Sequence, residues 1–169
     1  MKKSIGLGAL ALVALLAACG NPQQTSETDQ TTATAPAAMP TMNGPFARSE
    51  MAMDRAMKAA VGVDAADTWV KKLIAHHEGA IAMSRIVLDL EPTADVAKMA
   101  QMTIDNQGAE IEALKALARN GAADPASARL YDAALTEMHS EMMAASGATP
   151  SETYLAKMLA HHRGAVAMS

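Results

Sequence analysis

Two adjacent histidines followed by a glycine and a methionine occur twice, in LIAHHEGAIAMS at residues 73–84 and MLAHHRGAVAMS at residues 158–169. Imidazole and thioether are metal-ligand groups. Imidazole accepts several late transition metals, and the soft thioether favours Cu(I) and Ag(I). At about 100° per residue, His76 and Met83 share one stripe of a helix, with Gly79 and Ala80 between them. His77, Ile81 and Ser84 form the adjoining stripe, together with Leu73 and Leu88. The second copy repeats the arrangement with His161 and Met168, and with His162 and Val166. Adjacent histidines diverge by about 100°, so one helix chelates poorly through both. Two such helices brought together could converge up to four imidazoles, and that is the expectation. The bland reading is a pair of inert, hydrogen-bonded histidines at a helix seam. The mid-helix Gly79 and Gly164 cost about 1 kcal/mol each relative to alanine. Their expected return is close approach of a neighbouring backbone, or space for a ligand.

Methionine is the second signal, with 14 residues against very few aromatics. Pairs at helical spacing are Met53 and Met57, Met99 and Met102, and Met138 and Met142. In MHSEMM at 138–143, His139 precedes Met142 and Met143 by one turn, the most ligand-like local cluster. Most methionines in such a chain fill irregular core space, although Met39 and Met42 fall in a segment with no core pattern. Enzyme signatures are missing. No histidine has a glutamate three residues before it, as di-iron bundles require, and His77-Glu78 is not continued into His-Glu-x-x-His. No nucleophilic triad has a local signature, so a non-catalytic binder is expected.

The elements that must position these groups are helical. A first helix is predicted over about 47–60 and a second from an Asp64 cap to about Leu90, where Glu91-Pro92 ends it. A third runs from Thr93 to Arg119 and stops at Asn120-Gly121. Asp124-Pro125 opens a fourth that ends near Ser146-Gly147, and Thr149-Pro150-Ser151-Glu152 resembles a capping box opening a fifth. Short connections force antiparallel neighbours, hence an all-α bundle. DTWVKKLIAHHEGAIAMS (67–84) aligns without gaps to ETYLAKMLAHHRGAVAMS (152–169). The short segments MDRAM (53–57) and YDAAL (131–135) fit this internal repeat more loosely. The third helix has no second copy, so the second repeat reads as truncated.

Ahead of the bundle, Lys2 and Lys3 precede an apolar run from Ile5 to Ala18, too short for a membrane span and suited to a secretory leader. Leu16-Ala17-Ala18-Cys19 looks like a lipobox. The resemblance implies cleavage before Cys19, diacylglycerol on its sulfur and acylation of its new amino group, so acyl chains such as palmitate would anchor the protein stably. Cys19 is the one cysteine, so no intramolecular disulfide forms. Residues 20–46, rich in Thr, Gln, Pro and Ala, read as a disordered tether. The expected division is therefore 1–18 signal peptide, 19–46 lipidated cysteine and tether, and 47–169 helical domain. Gly20 is not an aspartate-type retention signal, which leans the location toward the outer membrane, facing the periplasm. Removing Lys2 and Lys3 takes the formal charge from −4 to −6, and no basic run exists, so nucleic acid is a poor partner. Self-association into a homo-oligomer is left open.

The two His-His-x-x-Ala-x-x-Met segments, with DNQGAEIEALKAL at 105–117 between them, resemble the bacterial family of domain of unknown function 305, which includes the CopM copper-binding proteins. The resemblance covers about residues 50–169 and implies a ferritin-like four-helix bundle exported to the envelope that binds Cu(I) or Ag(I). It points to His76, His77, His161, His162, Met83 and Met168 as ligands, with Gln107 and Glu110 as outer partners facing the same interior. Longer members carry a further Gln-x-x-Glu-Ile helix after the second histidine pair. Without it, His161 and His162 are expected to be exposed or their site incomplete. The function expected is metal buffering or resistance; the alternative is a structural or protein-interaction module without metal.

Overall fold

The computed structural model describes residues 44–169. The leader, the lipobox Cys19 and Met39 and Met42 of the tether lie outside the described residues. Within these residues the chain is all α-helix: α1 Ala47–Ala59, α2 Ala65–Leu88, α3 Ala94–Leu117, α4 Pro125–Arg129, α5 Asp132–Ala144 and α6 Pro150–Ala167. No described helix is long and apolar enough to cross a membrane. The helices α1 and α2, α2 and α3, and α5 and α6 pack as consecutive antiparallel neighbours, and α2 meets α6 at the centre.

Both long helices that carry histidines start with the same cap. The Asp64 side chain accepts from Asp67 N at 3.0 Å, Val63 N donates to Asp67 Oδ2 at 2.9 Å, and Gly62 N donates to Thr68 Oγ1 at 2.8 Å. At α6, Thr149 accepts from Glu152 N at 3.2 Å, Ala148 N donates to Glu152 Oε2 at 2.8 Å, and Gly147 N donates to Thr153 Oγ1 at 3.0 Å. Each set satisfies amide donors that a helix start would otherwise leave unpaired.

The short helices correct the repeat. Met53 of α1 packs on Gly79, and Met138 of α5 packs on Gly164. MDRAM therefore matches MHSEM at 138–142, with the same offset of 85 residues as the histidines, and does not match YDAAL. The room beside the glycines is taken neither by backbone nor by ligand but by these two methionine side chains. A Cβ on Gly79 would sit 2.8 Å from Met53 Cβ, and one on Gly164 2.7 Å from Met138 Cβ.

Two predicted helices end differently. The fourth is broken into α4 and α5 at Leu130-Tyr131. Ser127 Oγ lies 2.5 Å from Thr68 Oγ1 and Asp124 N donates to Gly62 O at 2.8 Å, pinning α4 to the start of α2. Meanwhile α5 must reach α1 and α6, and no proline or glycine marks the bend. The third helix stops at Leu117, short of Arg119, because Asp67 Oδ1 captures Arg119 N at 2.8 Å.

The interior also holds two lysines. Lys72 Nζ donates to Met57 O at 2.7 Å, and Lys157 Nζ to Met142 O at 2.8 Å. Each ammonium thus covers a carbonyl in the last turn of a short helix, where the helix dipole is negative. Burial pulls the Lys72 pKa below its ordinary value, with Asp132 opposing. Lys157 has in addition a buried carboxylate: Glu50 Oε1 lies 2.7 Å away, without an aligned hydrogen bond, so that contact is ionic. The position equivalent to Glu50 is Leu135. Phe46 and Tyr154 complete the core, with ring centroids 6.2 Å apart, and Tyr154 OH lies 2.7 Å from Ser84 Oγ.

These contacts set what substitutions should cost. Lys157→Met strands the buried Glu50 and should cost about 3–5 kcal/mol. Lys72→Met strands only a carbonyl and should cost about 1–3 kcal/mol in urea unfolding. Gly79→Ala should destabilise, because the crowding against Met53, about 1–3 kcal/mol, offsets the helix gain. Gly108→Ala on α3, with open space around the added methyl, should instead stabilise by up to about 1 kcal/mol. Equal effects of the two alanines on the urea midpoint would contradict this packing.

Candidate functional site

The helix α2 presents His76 and His77, and α6 presents His161 and His162. Where the two helices cross, the inner pair His76 and His161 stack, with ring centroids 3.4 Å apart and planes inclined by 26°. His77 flanks His76 at 5.8 Å between centroids, and His162 flanks His161 at 5.5 Å. The inner pair is bound reciprocally: His76 Nε2 lies 3.0 Å from His161 O, and His161 Nε2 lies 3.0 Å from His76 O. A carbonyl only accepts, so both Nε2 atoms carry hydrogen and both lone pairs sit on Nδ1. Each carbonyl has a second lone pair for its own helix, so the clasp leaves the helical ladders intact.

Both inner rings are fully buried, and their Nδ1 atoms have no partner; the same holds for Nδ1 of the buried His77. An unmatched buried acceptor costs about 1–3 kcal/mol. Burial pushes His76 down to about 4, against the opposing bond to the His161 carbonyl, with His77 and His162 lowering it further. Burial holds His161 well below the ordinary imidazole value, aided by His76. His77 is lowered by burial, with Glu110 opposing. All three rings are therefore neutral at pH 7, the form that binds metals.

The outer pair faces a groove of about 720 Å³ between α3 and α6. His77 and His162 line it with the thioethers Met99, Met102 and Met158 and the polar side chains Gln107 and Glu110. Glu110 Oε2 lies 3.0 Å from His77 Nε2, and Gln107 is buried with its Oε1 unpartnered. His162 is exposed on the α6 side, its Nδ1 2.6 Å from Met158 O. Among the described residues, no three His, Cys, Asp or Glu side chains are grouped to hold an ion. A coordination site here would thus have to include thioether sulfur.

The other sequence candidates lie elsewhere. Met83, Met142 and Met168 are buried in the apolar core, as is Met158, which alone of the four also lines the groove. Met143 is half-buried, and His139 Nδ1 sits 3.7 Å from Asp54 Oδ1. Sequence spacing does not gather the groove methionines as a set. Met99 and Met102 are visible as a spaced pair, and Met158 is where the repeats differ, standing in place of Leu73.

The depressed imidazole values set a pH dependence. An imidazole whose folded pKa lies below its unfolded value of about 6.5 takes its proton more readily when unfolded. Its contribution is whole above about pH 6.5 and is lost as the pH falls toward 4. His76 alone should remove about 3 kcal/mol of stability between pH 7 and pH 4. Urea midpoints measured across that range should fall steeply with acid, and a flat profile would contradict the buried neutral pair.

Residues 9–118 match the family model described as "Domain of unknown function (DUF305)". The match reaches the end of α3 and leaves α5 and α6 outside it. No curated protein and no solved structure matches the chain. With the first repeat and α3 within a match that spans well over half its length, the chain belongs to the DUF305 family.

Proposed function

We propose that this protein is an envelope-tethered helical lipoprotein that takes Cu(I) or Ag(I) as cargo, for buffering or for handing on. The observation that carries this reading is the α3–α6 groove, where two imidazoles, His77 and His162, share a wall with three thioethers, Met99, Met102 and Met158. Imidazole plus thioether is a soft donor set, suited to a monovalent coinage-metal ion and poorly suited to Mg²⁺ or Ca²⁺. The resemblance of the twin-histidine segments to a family that includes copper-binding members points the same way. Glu110 beside His77 would hold its Nε2 at the groove and give way to the ion there.

This reading divides the histidines. The outer pair supplies ligands. The inner pair serves the seam: its Nε2 atoms hold carbonyls, its Nδ1 lone pairs are buried, and neither ring lines the groove. That clasp is also the observation favouring the second reading, a structural module whose histidines only join α2 to α6.

Competition with a chromogenic Cu(I) chelator distinguishes them. His77→Ala with His162→Ala should weaken Cu(I) binding by at least about tenfold, as should the triple Met99, Met102 and Met158→Leu variant, since each loses two or more ligands. Thermal stability should rise with added Cu(I) in the parent protein only. Protein that leaves dialysis against Cu(I) or Ag(I) without metal would end this reading and leave the structural one.

A further inference from the structure

Methionine has an ordinary occupation in this fold. Met53, Met57, Met83, Met138, Met142 and Met168 are buried in the core, where a flexible thioether fills irregular space. Met99 and Met102 have no such role. They stand one turn apart on α3 and are 45% and 52% exposed. Both line the α3–α6 groove among the polar side chains Asp95, Lys98 and Asn106, while Met158, the third thioether there, is only 4% exposed. The groove therefore offers solvent two accessible sulfurs and keeps the third covered.

Exposure governs how readily a thioether is oxidised. A water-borne oxidant reaches a sulfur on a groove wall and is kept from one inside a packed core. Hydrogen peroxide is the simplest such oxidant. The sulfur lone pair attacks one peroxide oxygen, and an S–O bond forms as the O–O bond breaks. The departing hydroxide takes the proton of the transferred hydroxyl and leaves as water. Sulfur loses two electrons, and peroxide gains them. On the exposed Met99 and Met102 the new oxygen stays hydrated, so the helix keeps its place. The same oxygen on Met53 or Met138, packed on Gly79 and Gly164, would disrupt the core. Oxidation also replaces a soft sulfur donor with a hard oxygen, a poor match for a monovalent coinage-metal ion.

We propose that Met99 and Met102 form a paired site of oxidative modification, converted by peroxide to sulfoxides while the core methionines are spared. This conversion lowers the affinity of the groove for Cu(I). The modification stands on exposure and packing; its effect on the ion rests on the coinage-metal reading.

The test treats the whole metal-free chain with hydrogen peroxide and maps it peptide by peptide in the mass spectrometer. Met99 and Met102 should each gain one oxygen at least about tenfold faster than Met83, Met142 and Met158. With those two oxidised, the urea midpoint should stay where it was. After peroxide is removed, chelator competition should show Cu(I) held at least about tenfold more weakly than by untreated protein. Methionine sulfoxide reductase should restore the affinity. In the double variant Met99→Leu with Met102→Leu, peroxide should cause no further loss. Core methionines oxidised as fast as Met99 and Met102 would overturn the modification site. Doubly oxidised protein that holds Cu(I) as tightly as before, or a peroxide effect that persists in the leucine variant, would overturn the effect on the ion. Untreated protein that takes no Cu(I) overturns that effect together with the metal reading, while the oxidation map, read without metal, stands or falls by itself.

Discussion

The arrangement turns on the clasp between His76 and His161. Two imidazoles stacked at 3.4 Å, each bonded to the other residue's carbonyl, fix where α2 and α6 cross and how each is rotated. Apolar packing tolerates small slips along a helix; a reciprocal pair of directional bonds does not. One residue of slip would break both bonds and bury two donors unpaired, costing about 1–3 kcal/mol for each. The same clasp demands neutral rings, since two stacked imidazolium ions in a dry seam would repel without compensation. Register, crossing and acid sensitivity thus share one cause.

Around that seam the two halves repeat most of what the interior presents, and diverge at a few buried and several exposed positions. The glycine beneath a methionine, the lysine over a helix end, the hydroxyl and carboxylate caps and the twin histidines all recur at the same offset. Each of these fills a space or satisfies a polar group that both halves present. The differences lie both inside and at the surface. Glu50 against Leu135 gives one buried lysine a carboxylate and leaves the other with a carbonyl. Leu73 against Met158 puts a third sulfur on the groove wall. Glu78 against Arg163 inverts the charge beside an apolar face. A duplicated unit can change such positions without disturbing the clasp, which makes them the places where the halves acquire separate tasks.

Much of this is legible in the sequence. The caps at Asp64 and Thr149 and the long helices follow from side-chain spacing and local hydrogen bonding, both of which are written in consecutive residues. The bend at Leu130-Tyr131 is not legible, because it arises from Ser127 meeting Thr68 across 59 positions of chain. Nor is the early end of α3, which depends on a carboxylate from α2. Local likeness pairs Met53 with the YDAAL segment, whereas the contact of Met138 with Gly164 shows the true partner. Periodicity assigns each histidine to a stripe but does not say what faces that stripe. Met83 and Met168 share a stripe with His76 and His161, and that stripe is buried along its length, the histidines at the crossing and the methionines in the apolar core.

The division between inner and outer histidines follows from what each has left to offer. His76 and His161 have committed Nε2 to carbonyls, and their remaining lone pairs, on Nδ1, are buried in the seam without a partner. To coordinate an ion they would have to loosen the joint that holds α2 on α6. His77 and His162 carry no such duty: one rests against an exposed glutamate, the other on the carbonyl of its own preceding turn. Both contacts can be exchanged for a ligand bond at little structural cost, and both lie on a groove whose other donors are sulfur. An adjacent pair of histidines is therefore an economical motif on a helix. The roughly 100° between neighbours lets one ring lock the seam while the other faces outward, and duplicating the helix brings both functions to a single crossing point.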